Sequence, residues 1–282
     1  MKNALIVLFV YFFCVEGFAQ IPETQKYLLT TKSNTFGFST ISFLDPYLSP
    51  LTYSGNGIQF NHESRRFLSL ENTNISIQKK YYLLAGFALN PPQTSSMLYL
   101  GTNYSWGMHY HFRPIKGLQL LAGGSWDIDF GYKYVVRNIN NPVNVDLATN
   151  LNLSGIAMYD IPLRRRTLRL QLAVETPVFG WMFVPLAGES DYEMFDLGNL
   201  SNVSHLSSII NKRGINPKLT IDVPFSRTTW QFGLSYQKLK YKANDMVFER
   251  NEFSISAGTT FDEISFSGRK RHIPQNFIST NE

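Results

Sequence analysis

Four groups of residues in this 282-residue chain have side chains able to do chemistry at spacings that could use them. His205 and Ser207 stand two apart in the run His205-Leu206-Ser207-Ser208. That is an imidazole base beside a hydroxyl nucleophile, the pair that hydrolysis of a lipid ester would need at a membrane surface. A serine and a histidine this close also arise by chance. His109 and His111 alternate onto one face and could present two imidazoles to a metal. Neither a cysteine nor an evident third ligand accompanies them, so no metal and no cofactor is expected. Asp127, Asp129 and Lys133 share one polar row, and Arg169, Glu175, Lys218 and Asp222 occupy equivalent rows elsewhere. Opposite charges facing one another across an enclosed space can brace it, or they can line a permeation path and set its ion preference. Lastly, residues 177–214 gather Trp181, Tyr192 and Phe195 beside Asp191 and Glu193. An acidic and aromatic segment of this kind could bind a protein or carbohydrate, fold inward as a plug, or cap what lies beneath it.

The elements that must position these groups are strands. Residues 98–112 place Leu98, Leu100, Tyr104, Trp106, Tyr110 and Phe112 on one side, with mostly Gly, Asn, Ser and His between them. After the turn 113–117, residues 118–134 repeat the scheme with Leu120, Trp126, Ile128, Phe130 and Tyr132. Side chains on a strand point alternately to opposite faces, so each arm has one apolar and one polar face. Ordinary strands keep this up for about five or six residues. Here it persists for about fifteen, with aromatics at both ends of each apolar row, as in strands that cross an outer membrane with lipid outside and a polar lumen inside.

Taken in order, residues 1–19 read as a secretory signal. Lys2 supplies the charged start, residues 4–15 the apolar run, and Gly17-Phe18-Ala19 the small-x-small cleavage site. Cys14, the single cysteine, lies within it, so the mature chain has no thiol chemistry. Residues 20–34 read as a polar periplasmic lead-in. Alternation then marks strands at 35–43, 52–61, 75–89, 98–112, 118–134, 146–160, 168–175, 218–223, 230–236 and 253–261. The third slips in phase near Lys79-Lys80, which suggests a bulge or a step out of the membrane. This predicts a closed antiparallel up-and-down barrel over 35–262 with ten strands, or twelve if the long loop or plug at 177–214 hides a hairpin. A polar tail, 263–282, follows. Closure is required because lipid cannot satisfy the two free edges of an open sheet.

Composition agrees: 15% aromatic residues, 17% charged, and a mean hydropathy of −0.14, too low for a helical membrane bundle. The net charge of +5 is dispersed rather than striped, and no nucleic-acid partner is expected. A soluble secreted barrel that binds a small ligand is the rival fold; it would have to bury Leu100, Trp106 and Phe130.

Two stretches carry a resemblance. LDPYLSPLTYSG (residues 44–55), and ESDYEMFDLGN (189–199) followed by INKRG (210–214), are similar to a Bacteroidetes outer-membrane-type β-barrel family known only as a domain of unknown function. The resemblance implies the fold and supplies no activity. The expected role is therefore non-enzymatic, a narrow channel or a surface-exposed scaffold in the outer membrane of a Gram-negative cell envelope. Its partners would be outer-membrane lipid and either a small solute or an envelope protein. The alternative is a lipid hydrolase using Ser207.

Overall fold

The computed structural model describes residues 27–138, 141–164, 166–190, 192–193, 197–198, 202–226, 228–264 and 277–280. Among them run β1 (Tyr27–Asp45), β2 (Ser49–Phe67), β3 (Ile75–Leu89), β4 (Ser96–Ile115), β5 (Leu118–Val135) and β6 (Val143–Pro162). They continue with β7 (Thr167–Phe183), β8 (Ser204–Ser208), β9 (Lys212–Pro224), β10 (Thr229–Ala243), β11 (Met246–Ile264) and β12 (Phe277–Ile278). Ten of these, β1 to β7 and β9 to β11, form an antiparallel ring in chain order. The ring closes where β11 pairs with β1, from Leu29 opposite Ile264 to Leu44 opposite Glu249. β12 adds a short parallel pairing to the start of β1.

The apolar rows face outward. Leu100, Trp106 and Phe130 are 47%, 38% and 39% exposed on the outer surface, so the soluble alternative fails. The barrel has two ends. The start of β1, the finish of β11 and the turns 68–74, 116–117, 163–166 and 225–228 share one, the terminal end. The other, the loop end, carries 46–48, 90–95, 136–142, 244–245 and the long connection 184–203. The 244–245 turn is a two-residue hairpin in which Asn244 and Asp245 both take positive φ, the mirror-image geometry that matches strand twist.

Several sequence expectations are corrected. β1 begins at Tyr27, so residues 27–34 belong to the wall and not to a lead-in. Outward Leu28 is followed by three polar outward positions, Thr30, Lys32 and Asn34, which hide the alternation. β3 pairs without interruption on both sides, so there is no bulge at Lys79-Lys80; Lys79 faces out and Lys80 faces in. The loop at 177–214 is also shorter than expected. β7 runs on to Phe183, and β8 and β9 pair with successive parts of it in the same direction. Two irregularities concealed this. On β7, Pro177 and Phe179 face consecutive residues of β6, so Val178 is an extra residue and the inward–outward parity flips there. Opposite it, the four steps from Glu175 to Phe179 are faced by eight steps on the partner, from Asn216 back to Ser208. The surplus bulges outward at Ile209 and Ile210. Of the tail, the described residues 277–280 pair with the start of β1 through β12 and bury Ser279 and Thr280; residues 1–26, 265–276 and 281–282, and with them the signal segment, lie outside the described residues.

Candidate functional site: a braced lumen and its cap

Each of the seven charged residues named from sequence lies on the inward face, and each finds a partner across or along the lumen. Near the loop end, Lys133 on β5 reaches Asp45 on β1 and Asp146 on β6, both at 2.8 Å. Asn144 donates to the same Asp45 carboxylate at 2.7 Å, and Tyr241 donates to Asp146 at 3.1 Å. One layer deeper, Arg250 on β11 donates to the Tyr99 hydroxyl at 2.9 Å and lies 3.4 Å from Asp129. Asp127 accepts from Asn150 and Asn152, both at 2.7 Å, and Lys212 donates to Asn150 at 2.8 Å.

Midway down, Glu175 pairs with Lys80 of β3. Glu63 of β2 gathers Arg65 at 2.9 Å, Gln78 at 2.6 Å and, at 3.6 Å, Lys218 of β9. Glu252 accepts from Ser39 at 2.9 Å and Tyr82 at 2.6 Å. At the terminal end Arg169 grips Asp160 with two bonds of 2.7 Å, and Asp222 accepts from Gln231 at 2.8 Å. The two predicted histidines are inward as well: His109 bonds Ser154 at 2.9 Å and His111 bonds Ser76 at 2.7 Å. They serve strand-to-strand contacts.

Nine of the sixteen charged residues in this set escape the sequence reading: Asp45, Glu63, Arg65, Lys80, Asp146, Asp160, Lys212, Arg250 and Glu252. All occupy inward positions on their strands, so parity was the available signal. It is lost where a strand end reads as loop (Asp45, Lys212) or as a change of phase (Lys80).

Above the charged layers the lumen turns apolar. Ile41, Phe43, Met97, Val135, Met182 and Phe248 pack together across the loop end, with Val184 and Val203 from the long connection added on top. That connection is tied down at its base, where Val184 N–H donates to the Val203 carbonyl at 2.9 Å. Asn244 donates to the Val184 and Asn202 carbonyls at 3.0 and 3.1 Å. Tyr47 and Asn141 both donate to the Glu189 carbonyl, at 2.9 and 3.0 Å. The described residues of the connection thus cap the barrel mouth.

Of the five residues proposed there, Trp181 is instead on the wall, where its ring N–H donates to Ser204 at 2.6 Å. Its strand continues past the expected break because the bulge at Val178 resets the parity. Tyr192 and Glu193 are exposed on the cap. The Ser190 backbone N–H and hydroxyl donate to Glu193 at 2.8 and 2.9 Å, a capping-box arrangement that holds its carboxyl below the usual carboxylate range. Asp191 and Phe195 lie outside the described residues.

A closed up-and-down ring, apolar around its circumference and charged within, is a β-barrel of the outer-membrane type. The chain belongs to the family described as "Protein of unknown function (DUF3316)", whose model matches residues 4–270. No curated protein matches it. Among solved structures it is similar to the outer membrane protease OmpT of Escherichia coli, at 9% identity over 86% of this chain and 99% of that one, TM-score 0.48. It is also similar to the transport unit of the autotransporter AIDA-I of Escherichia coli, at 11% identity over 92% and 99%, TM-score 0.41. The translocator domain of the autotransporter NalP of Neisseria meningitidis matches at 8% identity over 93% and 95%, TM-score 0.41. Nothing about activity transfers at such identities.

Proposed function

We propose that the protein is a sealed, non-catalytic scaffold in the outer membrane that holds the 184–203 cap at the cell surface for an envelope or extracellular partner. The observation that carries this reading is the filled lumen. Successive ion-paired layers cross it, an apolar cluster closes the loop end, and the cavities left among the charged layers measure about 130, 60 and 20 Å3, with a further one of about 240 Å3 at the terminal end beside Arg169 and Asp222. Barrels of about eight strands are filled by side chains, whereas open aqueous channels need about sixteen. Ten strands with this filling belong with the former. Against the hydrolase alternative stands Ser207, which is 2% exposed on the inward face of β8.

In planar bilayers the folded protein should show no discrete conductance. Steps that change when Asp127→Asn or Lys218→Gln is introduced would replace the scaffold with a channel. Surface display has its own test. A cysteine placed by Glu193→Cys should react with a membrane-impermeant maleimide on intact cells. Protection there would put the cap on the periplasmic side. The signal reading expects the mature chain to begin at Gln20, which intact-mass measurement checks.

A further inference from the structure

The outward face of β9, β10 and β11 carries a feature that bracing the lumen does not need. From Trp230 to Tyr236 the outward residues of β10 are apolar; then come Lys238, Lys240 and Lys242, all exposed. Arg213 of β9 stands directly opposite Lys240, also exposed, and donates from Nε to the Ile209 carbonyl at 3.2 Å. The only carboxylate among the outward residues of these three strands at this level is Glu249, which pairs with Lys240 at 2.7 Å. Four cations against one acid therefore lie on a surface whose neighbours are Ile215, the bulged Ile209 and Ile210, the last 83% exposed. Lysine on the lipid-facing side is unfavourable near the midplane and tolerated near the interface, so such a stripe marks where headgroups begin.

Immediately below it, toward the terminal end, the outer wall is concave. A groove of about 880 Å3 crosses the outer face from β3 through β2, β1, β11, β10 and β9 to β7, lined by Phe38, Ile58, Leu219, Phe232, Leu234 and Ile255 among others. That is within the range of about 300–1,000 Å3 typical of ligand clefts. Beneath it the inward positions include Gly37, Gly57 and Gly233. A Cβ on Gly37 would stand 2.5 Å from the Ile255 carbonyl oxygen, so a side chain there would push the wall out of its inward bend. Leu234 is two outward positions from Lys238, about 13 Å along the strand.

We propose that this face binds a phosphorylated membrane lipid, with Lys238, Lys240, Lys242 and Arg213 holding phosphate and the acyl chains lying in the groove. Charge complementarity selects this occupant. A zwitterionic lipid would leave the excess of three positive charges unmatched, and a second copy would bring the same stripe against itself or against apolar wall.

The test uses folded full-length protein, checked by heat-modifiable migration on gels, in mixed micelles with diphosphorylated lipid A, phosphatidylglycerol or phosphatidylcholine. Retained lipid is counted by native mass spectrometry. The wild type should retain a phosphate lipid over phosphatidylcholine. The quadruple variant R213Q/K238Q/K240Q/K242Q should lose at least about tenfold, as expected when several interfacial cations are removed. The control R66Q/K79Q, which removes outward cations elsewhere, should not. Comparing the two phosphate lipids identifies which is the occupant. Should the quadruple variant fail to fold, the wild type in about 1 M salt, where the Debye length is about 3 Å, must release the lipid. Equal retention by quadruple variant and wild type, retention of phosphatidylcholine equal to that of the phosphate lipids, or a stable dimer that excludes lipid from this face would overturn the proposal.

Discussion

The wall built from β4, β5 and β6 and the wall opposite it, built from β10, β11, β1 and β2, present different surfaces to the membrane. On β5 the outward apolar row runs from Leu118 to Tyr134. That is roughly 54 Å of strand, or about 40 Å of depth at the usual tilt, more than the hydrocarbon core of about 30 Å. On β1 the middle of the outward row is apolar at Phe36 and Phe38, between Asn34 and Thr40, with Leu28 and Leu44 isolated near its ends; on β2 it is apolar at Ile58 and Phe60, between Asn56 and His62. His62 and Asn34, both outward, bond each other at 2.7 Å. This wall offers roughly 15 Å of apolar depth, and it is the wall that is indented and carries the lysine stripe. One barrel can therefore have a thick side that anchors and a thin side that adapts its lipids. A short apolar stretch is accommodated by thinning the bilayer, by snorkelling or by association.

The two walls are tied together through the lumen, and the largest effect should come from cutting those ties. Lys133→Met leaves Asp45 and Asp146 buried without their cation, and unfolding in urea should show a loss of about 3–5 kcal/mol. A loss under about 1 kcal/mol would mean the walls stand independently. Next comes a charge placed on the outside. Ile128→Lys, on the thick wall, should cost about 2–4 kcal/mol, whereas Asn56→Lys, on the thin wall, should cost about 0–1 kcal/mol. Equal costs would erase the distinction between the walls. Smaller still is bilayer thickness: moving from thick to thin lipids should shift stability by fractions of a kcal/mol per Å, and less for a variant in which Thr40→Leu and Asn56→Leu lengthen the thin wall. Last, Glu193→Gln on the exposed cap should leave unfolding unchanged within about 0.5 kcal/mol, because its bonds to Ser190 are local and solvated.

The same contrast explains what could be read in advance. On the thick wall the alternation is unbroken, and the strands read at 98–112, 118–134 and 146–160 lie within β4, β5 and β6 with the right residues outward. On the thin wall polar residues occupy outward positions, so alternation marks only about half the length of β1, β2, β10 and β11. Alternation reports the solvent on each side, and where both faces are polar it falls silent. The lumen partners were invisible for a different reason. Lys80 and Glu175 are separated by 95 residues, and only closure of the ring brings them face to face. The cap over 184–203 has no periodicity at all, and its anchors, Tyr47, Asn141 and Asn244, come from three other loops.

The seam between β1 and β11 sets the order in which this molecule can be made. Its pairing joins residues more than two hundred positions apart, such as Thr35 and Gly258. Until the last hairpin arrives, the earliest strand has nothing to hold on one flank, and hydrocarbon cannot substitute for it. Assembly in the bilayer must therefore wait for the whole polypeptide, which has to be kept from sticking to itself meanwhile.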